Sequence, residues 1–156
     1  QLFAFQIPIT ANLIPDSVIP ILLVSSQLVL LFFVWANQSI PGIWILGLGL
    51  GLNLFVISLN GGWMPISPTL VQELVPDDLH TYWEIGERLG MTKDLVLLKS
   101  ETKLWALSDR FLLPAWFPWQ VSFSLGDIFI SLGIFWLLWA QAGPRNTGAA
   151  YKKKGG

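Results

Sequence analysis

The chain has 156 residues, of which 53% are hydrophobic and only 12% charged, with a net charge of −1 and no cysteine. Ordinary soluble domains carry about 25% charged residues, so this chain is too apolar to be disordered, and it lacks the basic stripe of a nucleic-acid binder. Without cysteine there are no disulfides, thiolate metal sites or cysteine nucleophiles.

The charges cluster. Asp16 stands alone among the first 72 residues; Glu73 to Arg110 then holds eight acids and five bases, 13 of the 19 charges. Asp127 is the single charge from Phe111 to Pro144, and Arg145, Lys152, Lys153 and Lys154 close the chain. A helix needs about 20 apolar residues to cross a bilayer core, and three segments qualify. We therefore expect an all-α membrane protein with at least three transmembrane helices and an outer cap between the second and third.

In chain order, residues 1–16 read as the tail of a preceding membrane helix plus an outer loop. No basic leader or cleavage site marks Gln1–Ile9 as a signal peptide, so at least one more helix is expected before Gln1. Residues 17–60 form a two-helix hairpin. Its first span runs from about Ser17 to Ala36, capped by Asp16 or Ser17 with Pro20 in the first turn. Its second runs from Pro41 or Gly42 to Asn60, where Asn60-Gly61-Gly62 breaks it. Gly47-x-x-x-Gly51 on the second span offers a close-packing face. Gln27 and Asn53 fall at similar depth, which predicts an interhelical hydrogen bond, because an unsatisfied amide in hydrocarbon is costly.

Residues 61–123 form the outer, membrane-surface cap. Ser67-Pro68 starts a short helix Pro68–Leu74, and Asp77 or Asp78 caps a second one reaching about Leu89. Asp94–Lys99 and Lys103–Leu107 read as extended. Pro114, Trp116, Phe117, Pro118 and Trp119 lead into the third span, 124–142, which ends at Gly143-Pro144. Residues 143–156 are a basic cytoplasmic tail that can touch anionic headgroups.

Basic residues beside the membrane set orientation. They put the C-terminus in the cytoplasm and 61–123 on the outer face. Trp35, Trp44, Trp136 and Trp139 then lie toward the inner interface, and Trp63, Trp116 and Trp119 toward the outer, as an aromatic belt requires.

Three runs carry a family resemblance: Leu59-Asn60-Gly61-Gly62-Trp63-Met64-Pro65, then Glu101-Thr102 with Leu107-Ser108-Asp109, then Ser124-x-Gly126-Asp127. Over about Gly47–Ala140 the chain resembles the uncharacterised bacterial membrane proteins of domain-of-unknown-function family 5317. The resemblance implies further upstream membrane helices with an arginine-rich inner loop, and brings no established activity. Trp63 stands where a small or basic residue is usual, and Ser108 where glycine is.

Candidate chemistry is sparse. His80 is the lone histidine, so no zinc site can be assembled, and no nucleophile-elbow pattern surrounds a serine. As an axial pigment ligand it would have to lie at the membrane face; a polar surface position is the plainer reading. Asp127 lies about three residues into the third span, where the free N–H groups of a first turn favour a carboxylate. Asn60, Met64, Pro65, Glu101, Asp109 and Asp127 are expected to form a structural network fixing the cap onto the spans, with Lys103 and Arg110 nearby. The reading is a non-enzymatic accessory or scaffolding subunit of a larger membrane complex, respiratory or photosynthetic electron transfer being one host. Its partners are then membrane lipids and other integral membrane subunits. The alternatives are a site for lipid, quinone or pigment, a small membrane enzyme using Asp127 or Asp109, and, least favoured, a transporter.

Overall fold

A computed structural model describes residues 15–74, 83–90 and 92–142. Three long helices dominate: α1 (Ile19–Ala36), α2 (Ile43–Leu59) and α4 (Leu125–Ala142), with the short α3 (Pro68–Leu74) between the second and third. By length and composition α1 and α4 can cross a membrane, while α2 is a shorter apolar helix of 17 residues. The fold is mostly helical but not all-α. Strand β1 (Met64–Ile66) pairs in parallel with β2 (Asp94–Val96), and β3 (Phe111–Leu112) pairs antiparallel with β4 (Ser122–Phe123).

α2 lies between α1 and α4 and packs most extensively on α4. A Cβ on Gly62 would come within 2.3 Å of Pro20, and one on Gly47 within 2.7 Å of Val34, so α1 and α2 form an antiparallel hairpin. α4 is antiparallel to α2 in turn, with Gly133 against Leu46 and Gly126 against Gly49 and Asn53. Every charged residue described falls on the side where α1 begins, α2 ends and α4 begins.

Helix ends follow local chemistry. α1 has Pro20 in its first turn, but its N-cap is Val18 with no side-chain cap bond. Neither Asp16 nor Ser17 caps it; Asp16 instead meets Arg88 at 2.8 Å. α2 ends as Gly62 donates to the Ile57 carbonyl, with Gly61 and Gly62 both at positive φ, which glycine adopts without strain. α3 starts at Ser67, whose Oγ accepts the Leu70 N–H.

Two expected segments differ. The helix expected to run to Leu89 is absent over 83–90, the rest of it lying outside the described residues. There the Gly86 and Leu89 amides donate to Val96 and Asp94 across a bridge to β2, which replaces the i→i−4 pattern. Lys103–Leu107 is not extended: Trp105–Leu107 is a 3₁₀ turn entered through Leu104 at φ 54. Val71 of α3 makes a small core of its own with Ile66, Leu89 and Val96.

Candidate functional site

The polar centre of the molecule is a layer where the ends of α2 and α4 meet the 61–123 region. Its first element is the start of α4. Ser124 donates its backbone N–H to Asp127 Oδ2 at 2.9 Å, and Asp127 returns its N–H to Ser124 Oγ at 3.1 Å. This is a reciprocal capping box, satisfying two of the helix's orphan donors. Asn53 of α2 donates Nδ2 to Asp127 Oδ1 at 2.9 Å, so both carboxylate oxygens are held. Ser124 Oγ also lies 2.9 Å from Asn53 Oδ1 and 2.8 Å from Asp127 Oδ2, but its single proton serves one at a time. The contact requires Gly126, because a Cβ there would sit 1.9 Å from Asn53 Oδ1.

Asn60, at the end of α2, grips the 61–123 region as a strand would. It accepts the Lys103 N–H at 3.0 Å and donates to the Lys103 carbonyl at 2.9 Å and to Val56 at 2.8 Å. That grip precedes Leu104, whose left-handed conformation is disfavoured for a residue with a Cβ, and places Leu107 on the Val56, Ile57 and Met64 cluster.

The third element is ionic. Lys93 Nζ lies 2.9 Å from Asp94 Oδ1 and 2.5 Å from Asp109 Oδ2. Asp109 is 1% exposed, donates its backbone N–H to Pro65, and leaves Oδ1 buried without a hydrogen bond. Burial pushes the Asp109 carboxyl up to about 7; Lys93 opposes this rise, while the nearby charges of Asp94 and Asp127 add to it. Burial works against the Lys93 charge, yet Asp94 and Asp109 outweigh it and hold the ammonium above its ordinary range. A carboxyl titrating near neutrality can exchange a proton, but Lys93 already occupies the place where a cation would bind. Among the described residues, no three His, Cys, Asp or Glu side chains converge as metal ligands.

Gln27 and Asn53 do not bond: Asn53 is committed to Asp127 and Ser124, and Gln27 Oε1 is buried without a partner. Gly47 packs against α1, whereas Gly51 has nothing within 4 Å of a would-be Cβ, so Gly47-x-x-x-Gly51 is no single contact face. The close seam is made by Gly42 and Gly49 against Gly126 and Gly133. Met64 and Pro65 are buried in β1. Glu101 is exposed and forms no ion pair with a described residue; Lys93 takes the partner role with Asp109 instead. Ser108, with φ −70 and ψ 173, is ordinary extended backbone that needs no glycine, and its hydroxyl donates to the Trp105 carbonyl.

Trp35, Trp44, Trp136 and Trp139 are exposed at one end of the helices. Trp63, beneath the Arg88 guanidinium, Trp116 and Trp119 belong to the other. His80 and residues 143–156 lie outside the described residues.

Lys93 as the shared partner of Asp94 and Asp109, and the glycine seam, are not among the positions expected from the sequence. The i, i+7 spacing of both glycine pairs was the available signal; nothing in the sequence linked Lys93 to Asp109.

Comparison with known proteins gives the family and little else. An uncharacterised protein of Thermotoga maritima is 31% identical over 140 residues, covering 86% of this chain and 71% of that protein. No solved structure matches the chain. The model of the family of unknown function DUF5317 matches residues 1–139, and the chain belongs to that family.

Proposed function

We propose that this is a multi-pass membrane protein with α1, α2 and α4 as spans, serving as a non-enzymatic accessory or scaffolding subunit of a larger membrane complex. One observation carries the reading: large apolar side chains line the outward faces of all three long helices, while the α2–α4 seam is built on glycines. On α4 the buried residues are Gly126 and Gly133, while Leu132, Ile134, Phe135, Trp136, Leu138 and Trp139 face outward. On α2 the exposed stripe is Trp44, Leu48, Phe55 and Leu59. A glycine seam inside and large apolar residues outside suit lipid, where close backbone approach replaces hydrophobic burial as the source of association.

In this reading residues 61–123 form a cap on the outer face of a bacterial cytoplasmic membrane, held by Asn60, Asp109 and Asp127, and the basic tail is cytoplasmic. The buried polar layer, whose Asn53, Asn60, Lys93, Ser124 and Asp127 groups are engaged with one another and with the backbone, acts as an anchor rather than as catalytic machinery. Purification from native membranes in mild detergent tests the assignment. Co-purification of another integral membrane subunit in constant ratio is expected; a monodisperse free monomer would refute the subunit role. A lipid, quinone or pigment site is the second reading, favoured by the unpartnered Gln27 Oε1 within the α1–α2 hairpin. A stoichiometric apolar ligand found by mass spectrometry of the purified protein would select it.

A further inference from the structure

Trp105 holds two cations. Lys99 Nζ lies 3.9 Å and the Arg110 guanidinium 4.1 Å from its ring centroid. Neither makes an ion pair with a described carboxylate, unlike Lys93 and Arg88, which do. The indole's negative face offsets part of the repulsion between two like charges, but the pair keeps its net positive charge.

The placement of this pair is what gives it meaning. The turn carrying Trp105 packs on both α2 and α4, and Arg110 donates its backbone N–H to Phe123, two residues before α4 begins. The cations therefore sit at the level of the helix ends. Beside them, Phe111 stacks on Phe123, and the loop between β3 and β4 presents Trp116 and Trp119 at 80% and 71% exposure. Exposed indoles with unpaired cations at the end of an apolar helix match the chemistry of a phospholipid headgroup zone: rings at the interface and a phosphate for the positive charge.

We propose that Lys99, Arg110 and Trp105 form a binding site for the phosphodiester of an anionic phospholipid at the rim of the helices. The site rests on the membrane reading above. Lys99 supplies an exposed ammonium, and Arg110, whose backbone N–H is tied to Phe123, supplies a planar donor fork suited to phosphate oxygens. Trp105 holds both cations against its ring, and Trp116 and Trp119 accompany the glycerol and upper acyl region.

The test uses the full chain in nanodiscs of phosphatidylcholine alone or with phosphatidylglycerol, with retained lipid read by native mass spectrometry after release. Phosphatidylglycerol should be retained in preference. Lys99→Gln should weaken retention about fivefold, as one basic residue at an anionic surface is worth, and Lys99→Arg should restore it. Because Lys99 is exposed, these variants keep the fold; circular dichroism checks it. Equal retention of both lipids, or unchanged retention in Lys99→Gln with Arg110→Gln, overturns the site. Inorganic phosphate alone quenching tryptophan fluorescence to the same extent as the lipid would make it a free-anion site and overturn the lipid assignment. Failure of the protein to enter nanodiscs would refute the membrane reading itself and is visible before any lipid is counted.

Discussion

Gly133→Ala should open the α2–α4 seam. A Cβ at Gly133 would lie 2.4 Å from the Leu46 backbone nitrogen and 2.7 Å from Leu46 Cα. Carbon atoms in contact sit about 3.5–4.0 Å apart, so the helices must separate locally by roughly 1 Å. No rotamer relieves the clash, because the obstructing atoms are backbone. Overpacking of this kind costs about 1–3 kcal/mol. If the separation spreads to Asn53 and Asp127, now 2.9 Å apart, a hydrogen bond to a charged group worth about 1.5–3 kcal/mol weakens as well. Gly51→Ala is the internal control, since nothing lies within 4 Å of its Cβ. Its effect should be at most the helix-propensity difference, about 1 kcal/mol in the stabilising direction. Gly47→Ala, which meets the Val34 side chain at 2.7 Å, should fall between. Unfolding in mixed micelles with rising dodecyl sulfate, followed by tryptophan fluorescence, gives the ranking. A Gly133→Ala midpoint no lower than that of Gly51→Ala would refute the seam.

Acid titration tests the ionic element. Asp109 titrates at about 7 in the folded protein and at about 4 unfolded, so between those values the folded state holds a proton that the unfolded state has released. The contribution of Asp109 to stability should therefore be greatest below about pH 4 and fall as pH rises to about 7. Asp109→Asn should remove that contribution, and a wild type that gains stability relative to Asp109→Asn as pH rises over the same window would contradict it. Lys93→Met should be severely destabilising, about 3–5 kcal/mol, because it leaves Asp94 and Asp109 without their cation; adding Asp109→Asn should recover part of the loss in a double-mutant cycle. Asn60→Ala should expose the Lys103 amide to solvent exchange, with hydrogen–deuterium exchange rising at Lys103 and through the turn to Leu107 while α4 keeps its protection.

The chain's own chemistry marked the helices and α3 to within a few residues. Long charge-poor runs ended by Gly61-Gly62 leave little choice of boundary, and Ser67-Pro68 is a start signal that depends on no neighbour. The 61–123 region was less readable because its order comes from distant backbone partners. β2 draws residues 83–90 into a bridge, and Asn60 draws Lys103 into its grip, and neither attraction leaves a periodic trace. Lys93 and Asp109 are joined through β1, which neighbours β2 on one side and the Asp109 backbone on the other; sequence separation alone could not bring them together.

The Gln27–Asn53 pairing failed for a reason that elementary helix geometry contains. The two amides share a depth but not a direction around the helix axis. At about 100° per residue, Asn53 points about 40° from Gly49 and about 120° from Gly47. Gly47 faces Val34 of α1, and Gly49 faces Gly126 and Ile130 of α4. Asn53 therefore belongs to the α4 side, where Asp127 and Ser124 offer it a donor and acceptors. The same arithmetic separates the glycines: Gly42 and Gly49 share one face, Gly47 and Gly51 the opposite one. A second helix with the matching i, i+7 pair, Gly126 and Gly133, fits only the first of these. Once α4 claims Asn53, no other amide of α2 replaces it for Gln27, and the unpartnered Oε1 in the α1–α2 hairpin follows from that choice of seam.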